Sequence, residues 1–346
     1  MSFESNKVMT IKEAVSKFVK DGEMLVPCNF VYAIPYAIIH EIIRQKKKDL
    51  TLVSNGLIEE GDLLLAGGCI SKIITSYYHR GGGRRIKNEL DRALHAKTIE
   101  IEDYSNFTMV AMFKAGALGY SFMPVLNSVK ESDIFRIRTI MGENKFKIVK
   151  CPFTGKETIV VPALNPDIGI LHVQRADKYG NAQFWGSLGT LKWSALSSKK
   201  LIVSCEEIVD HEKIKRSPFL TVVPGFRVNA VIEEPWGAHP SDLAGYYDAD
   251  TNFRASYFIQ NLSKIANRKW IQEWIYDRPD RKAYLDHYVE RFGKKPLEIL
   301  KVNEFLSDQI NMGYKRKYWQ NDFCHKIAQT REEYNKKVLE YGELEL

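Results

Sequence analysis

Cysteine is scarce. Only five (Cys28, Cys69, Cys151, Cys205 and Cys324) are spread over 346 residues, and no two form a CxxC pair. An odd number at wide spacing supplies neither a disulfide framework nor a structural zinc site, so these side chains read as small buried hydrophobes. Long apolar runs are missing too. A membrane-spanning helix needs about 18 or more consecutive apolar residues, and the longest candidate, residues 63–70, is short and broken by two glycines. The opening MSFESNKVMT lacks a charged stretch leading into an apolar one, so a cytoplasmic protein with no membrane association is expected. There is no polar low-complexity tract, and 17 Tyr, 17 Phe and 6 Trp provide the apolar bulk that disordered chains lack.

Several catalytic signatures are also absent. No GxSxG elbow is present, which argues against a serine hydrolase of that type. The eight histidines show neither HExxH nor HxH spacing, so no catalytic metal is expected. The segment Tyr78-His79-Arg80-Gly81-Gly82-Gly83-Arg84-Arg85 is neither GxGxxG nor GxxxxGK[ST], which speaks against a nicotinamide or flavin fingerprint and against a P-loop. Glycines between a strand and a helix still suit an anion, because backbone amides can approach it there; a flexible turn with solvated arginines is the alternative.

What is present is an alternation of strand and helix signals. Thr10 and Glu13 form a capping-box pattern ahead of a helix with Ile11, Ala14, Val15 and Phe18 on one face. Buried strands are predicted at 24–26, 50–53, 70–77, 98–101, 168–173, 201–205 and 228–232. Helices are predicted from Pro35, around 62–65, over 84–94 and after a Ser105 N-cap. Residues 146–149 and 158–161 read as an antiparallel hairpin. From about residue 253 onward the pattern is helical. The expected fold is one α/β domain with an open, largely parallel sheet, helices on both faces, a small antiparallel hairpin and a C-terminal helical extension. The domain is assigned to 1–296 and the extension to 297–346.

Ligands of open α/β sheets lie beyond the carboxyl ends of the strands. That rule nominates loops 27–33, 78–85, 103–106, 126–132 and 237–250. In the last of these, His239 stands in a Gly-Ala-His-Pro turn, either holding the loop through backbone bonds or contacting ligand.

Five ordered stretches carry a resemblance to the A (alpha) subunit of family I CoA-transferases, most of all the glutaconate branch. They are Asp21-Gly22 before an apolar triplet and Phe30, GLIEEGDLLLAGGCISKIITSYY (56–78), EDYSNFTMVAMFKAGALGYSFMPV (102–125), VPALNPDIGILHVQRADKYGNAQFWG (161–186) and EEPWGAHPSDLAGYYDAD (233–250). The resemblance implies two related subunits of open α/β fold and a coenzyme A thioester as substrate. It also implies a nucleophilic glutamate in an SENG motif of the B subunit. Attack on the thioester gives an anhydride and then an enzyme-CoA thioester, from which a second acid takes CoA. This chain has no SENG; Glu143-Asn144 in MGENK lies in a segment that does not match the B pattern. The catalytic residue is therefore expected on the partner.

Within this resemblance the nominated loops put forward Cys28, Asn29, Phe30, Ser105, Asn106, Asn127, Ser128 and His239 for substrate binding, and Arg80, Gly82 and Arg84 for CoA. Two departures stand out. Cys28-Asn29-Phe30 replaces a Gly-Gly-Phe turn, placing side chains where bare backbone is expected, and Leu126-Asn127-Ser128 replaces an Arg-Ser pair after Pro124. A transferase acting on an unusual acid follows, or a related acyl-CoA hydrolase or decarboxylase built from two such chains, or, third, a non-catalytic metabolite-binding scaffold. The net charge of +7 concentrates between His79 and Lys97, where six Lys or Arg face two acids. It is read as serving an anionic CoA ester and a partner chain rather than nucleic acid.

Overall fold

A computed structural model describes residues 5–29, 31–79, 88–260 and 263–302. Twelve strands are ordered along these residues: β1 (Met24–Pro27), β2 (Leu50–Ser54), β3 (Ile70–Thr75), β4 (Glu100–Asp103), β5 (Phe122–Pro124), β6 (Lys147–Lys150), β7 (Glu157–Pro162), β8 (Ile168–Ala176), β9 (Ala182–Gln183), β10 (Lys200–Ile208), β11 (Thr221–Val223) and β12 (Ala230–Glu233). Seven pair in parallel in the order β12-β10-β8-β1-β2-β3-β4. The short β9 continues beside β8 in antiparallel register, and β11 pairs with β9. A separate antiparallel sheet, β5-β7-β6, adds a third strand to the predicted hairpin. The open parallel α/β architecture is as the sequence leads one to expect.

Period-two alternation sorts the strand residues between two cores. Leu25, Leu52, Ile73, Ile170 and Ile202 face one hydrophobic cluster; Val26, Val53, Ile74, Leu171 and Val203 face the other. Burial on both faces is what a parallel sheet between helical layers requires. The first layer holds residues of the helices Ile11–Phe18 and Tyr36–Arg44 with the aromatic residues Phe253, Trp270, Trp274 and Tyr284 from the C-terminal helices; the second holds Met109, Met112 and Phe113 of the helix Asn106–Leu118.

Local caps set the element ends. Thr10 Oγ1 accepts from Glu13 N at 3.2 Å while Glu13 Oε2 accepts from Thr10 N at 2.9 Å, completing the predicted box. Ser105 caps its helix as expected. The strand expected over 70–77 stops at Thr75, because Thr75 Oγ1 bonds both the N–H and the C=O of Tyr77 and turns the chain. The helix expected from Arg84 starts instead at Glu89: Asn88 has extended backbone and its Oδ1 accepts from Asp91 N at 2.9 Å, forming a capping box.

The boundary assigned at 296/297 falls inside the helix Lys295–Leu300. Leu300 is buried, its carbonyl accepts from Asp248 N at 2.9 Å, and Val302 N donates to Tyr246 O at 3.0 Å. The chain is thus stitched to the α/β body through residue 302, and the remainder of the extension lies outside the described residues. Among the described residues no helix is long and apolar enough to cross a membrane.

Candidate active site

The strands β1 to β4 step away from the middle of the sheet in one direction, and β8, β10 and β12 step away in the other. The strand order therefore reverses between β1 and β8, the place where ligands gather in open α/β sheets. Loops from both halves meet there. Ala33 N donates to Asp242 O at 2.9 Å, Ala37 N to Gly237 O at 2.9 Å, and Ser241 Oγ to Val31 O at 3.3 Å. The backbone is strained on both sides of this seam: Val31 (φ 69°), Ala33 (φ 53°) and Trp236 (φ 62°) all occupy the left-handed region. A β-branched residue there is a genuine outlier, and such strain clusters at functional sites.

Over the carboxyl ends of β1, β2 and β3 lies a cleft of about 450 Å³, lined by Val31, Ile58, Glu59, Tyr77, His79, Thr251, Arg254 and Ala255. Three successive strand-end loops and the start of the helix Thr251–Gln260 build it. Glu59, in the first turn of the helix Glu59–Ala66, accepts a two-pronged bond from Arg254, Nε to Oε1 and Nη2 to Oε2, both at 2.9 Å. Tyr36 OH donates to Glu59 Oε2 at 3.4 Å. The neighbouring Glu60 is fully enclosed, with Oε2 unpartnered among the described residues, and burial followed by the charge of Glu59 pushes its carboxyl up to about 8. Burial likewise pushes Asp242 up to about 6. At the other wall Tyr77 OH and His79 Nδ1 are 3.0 Å apart.

The β8-β10-β12 half is closed. His172 on β8 lies opposite Ser204 on β10, with Nδ1 at 2.9 Å from Ser204 Oγ and Nε2 at 2.9 Å from Glu206 Oε1. Glu206 also accepts from Tyr247 OH at 2.7 Å and from Trp236 N at 2.9 Å. The connectivity is that of a Ser-His-acid set, but His172 and Ser204 are 0% exposed. A Cβ on Gly237 would come within 2.6 Å of His172 Cε1, so the absent side chain lets the loop lie directly on the ring. No acyl carbon reaches such a serine; the set is a polar core that holds the 234–250 loop.

The predicted residues take varied places. Asn29 is buried and acts as one more rung of the sheet, its amide oxygen accepting from His172 N at 2.9 Å and its amide nitrogen donating to His172 O at 3.2 Å. The left-handed strain of this loop falls on Val31 and Ala33 instead. Cys28 is buried, and burial pushes its thiol up to about 12. His239 is enclosed, with Nδ1 at 2.9 Å from Tyr284 OH and Nε2 at 3.3 Å from Asp250 Oδ2; burial lowers its pKa. Arg281 donates to Trp236 O and His239 O, so the helix Arg281–Phe292 locks this loop from behind. Ser105 caps, and the exposed Asn106 accepts from Asn55 Nδ2 at 3.2 Å. Asn127 pins the small sheet, donating to Glu157 O at 3.0 Å and accepting from Ile159 N at 3.1 Å, with Ser128 exposed beside it. Neither lines the cleft. Phe30, Arg80, Gly82 and Arg84 lie outside the described residues.

Sequence reasoning did not single out Val31, Ile58, Glu59, Tyr77, Thr251, Arg254 or Ala255. The Asn55-Gly56 turn directly after β2 is a signal that applies the strand-end rule one loop further. Arg254 carries no such signal, because only the fold brings residue 254 to residue 59.

An open parallel sheet with a cleft over one half of its carboxyl edge and a sealed loop region over the other is the architecture of an α/β ligand-binding protein, and the chain belongs to the coenzyme A transferase family: residues 8–234 match the model described as Coenzyme A transferase. Among its relatives, the A subunit of the 3-oxoadipate CoA-transferase of Pseudomonas knackmussii is 34% identical over 79% of this chain and 95% of that one. The A subunit of the glutaconate CoA-transferase of Acidaminococcus fermentans is 32% identical over 89% of this chain and 98% of that one. The crystal structure of the latter transferase superposes with a TM-score of 0.77 at 31% identity, covering 86% of this chain and 96% of the other. An uncharacterized protein of Archaeoglobus fulgidus is 34% identical over 88% of this chain, which spans 66% of that relative. Cholesterol ring-cleaving hydrolase subunits and a decarboxylase match at 25–27% identity, so these alternative chemistries are not favoured over transfer.

Proposed function

We propose that the chain is the A subunit of a cytoplasmic acyl-CoA transferase made of two kinds of chain, whose nucleophilic glutamate is supplied by the B subunit. The observation that carries this reading is the cleft over β1, β2 and β3, in a chain of this family, with no carboxylate among its described lining residues free to act as nucleophile. Glu59 is bound by Arg254, and Glu60 is buried behind it. A carboxylate nucleophile is weak and gains from a water-poor site and from the binding energy of the remote CoA moiety. An interface cleft provides both.

In this reading the partner's glutamate attacks the thioester carbonyl and expels CoA thiolate, giving a mixed anhydride. The thiolate then attacks the glutamyl carbonyl, releasing the first acid and leaving an enzyme-CoA thioester. A second carboxylate reverses the sequence. The present chain encloses the acyl group between the Val31 and Ile58 walls, while Arg80, Gly82 and Arg84 meet the anionic CoA. Asn29, Cys28 and His239 act from behind, fixing the two loops that frame the cleft, with Ser105, Asn106, Asn127 and Ser128 at more distant strand ends. No metal, nicotinamide, flavin, nucleic acid or membrane enters.

The test is to purify the chain alone and with its partner and follow CoA exchange between an acyl-CoA and free acids. Exchange by the pair but not by either chain is expected. Free acid produced without any acceptor would instead indicate hydrolysis, and ligand binding without turnover by an intact complex would indicate a scaffold.

A further inference from the structure

Resting on the transferase reading, we infer that the acyl group taken by this cleft ends in an uncharged tail, not in a second carboxylate. Among the described lining residues the guanidinium is that of Arg254, and it already has Nε and Nη2 committed to the two oxygens of Glu59. Both partners are largely enclosed, the Glu59 side chain at 4% and that of Arg254 at 18% exposure, so solvent does little to screen them. A tail carboxylate arriving at Arg254 would lie against the carboxylate that already holds it, and like charges in a poorly screened site repel strongly.

Among the described residues that line the cleft, Arg254 carries the one guanidinium and no lysine is present, so no second fixed cation is there to receive a carboxylate. The remaining walls are the side chains of Val31, Ile58 and Ala255, with the Thr251 hydroxyl and the Tyr77–His79 pair. This lining suits an aliphatic tail, straight or branched, that carries at most a hydroxyl or keto group: apolar walls with a few fixed polar groups are the usual make-up of a small-molecule pocket. A neutral tail leaves the ion pair intact.

The experiment uses the assembled complex of both chains. Butyryl-CoA and glutaryl-CoA, which differ only by a tail carboxylate in place of a hydrogen, are titrated calorimetrically. CoA transfer to butyrate, hexanoate, glutarate and adipate is then compared by kcat/KM. Binding and transfer at least tenfold in favour of the monocarboxylates are expected. Equal or better handling of the dicarboxylates overturns the inference. The Glu59→Gln variant frees Arg254 from its counter-charge and is expected to shift the glutarate-to-butyrate ratio of kcat/KM upward by at least tenfold; an unshifted ratio in a folded variant counts against it. The wild-type ratios need no variant to fold. A complex that binds either thioester but moves no CoA contradicts the transferase reading, and its binding ratio still decides the tail.

Discussion

The two halves of the sheet's carboxyl edge use similar ingredients to opposite ends. Over β1 to β3 a histidine, a tyrosine and an ion pair border an open cleft. Over β8 and β10 a histidine, a serine, a glutamate and a tyrosine are packed shut beneath the 234–250 loop. Residue types alone would favour the second set as the reactive one, since Ser, His and acid in hydrogen-bond contact resemble a hydrolytic triad. Accessibility reverses that choice: a nucleophile must reach its substrate, and a polar cluster without solvent or ligand access contributes stability and shape. The closed half therefore holds the loops that give the open half its walls.

Variants that break this contrast separate stability from turnover. The largest effect is expected for Glu206→Ala, which strands the Tyr247 hydroxyl, the Trp236 N–H and the His172 ring. Orphaned buried groups of this kind cost about 3–5 kcal/mol together, a melting temperature lowered by about 8 °C or more by calorimetry. Asn29→Ala removes two bonds to the His172 backbone and is expected to cost about 2 kcal/mol, a drop of about 4 °C.

Glu60 gives a pH signature. Its carboxyl is ordinary when unfolded and pushed up to about 8 when folded, so between these values the native state holds a proton that the unfolded state has lost. Stability then falls as pH rises from about 4.5 to about 8. Glu60→Gln should therefore raise the melting temperature by about 3 °C at pH 8.5 and leave it unchanged at pH 4. Val31→Gly should move stability least, within about 2 °C, because relief of left-handed strain is offset by a more flexible unfolded chain. It should nevertheless raise the KM for acyl-CoA by widening the cleft, whereas Asn29→Ala, which loosens the same loop without removing a lining side chain, should raise KM less in the fraction that remains folded.

The fold was largely legible because alternating strand and helix signals leave few topologies for a parallel sheet, and because Thr10-Glu13 and Ser105 cap where their chemistry indicates. Ends set by side-chain bonds were harder: Thr75 turns its strand early, and Asn88 starts its helix late. The site was legible as a set of loops but not as a set of residues. Asn29 and His239 sit in the right loops yet face inward, since whether an amide meets ligand or a neighbouring strand depends on pairing that sequence spacing does not reveal. Arg254 meets Glu59 across 195 positions, and only tertiary structure makes them a pair.

The central claim is that the cleft over β1, β2 and β3 receives the acyl group. Ala255 lines that cleft and is half-buried, so Ala255→Trp fills it with an indole. The measurement is CoA exchange by the complex of both chains carrying this variant, alongside its melting temperature. The account predicts at least a hundredfold loss of kcat/KM with a melting temperature within about 2 °C of wild type. Undiminished exchange by that folded complex would contradict it.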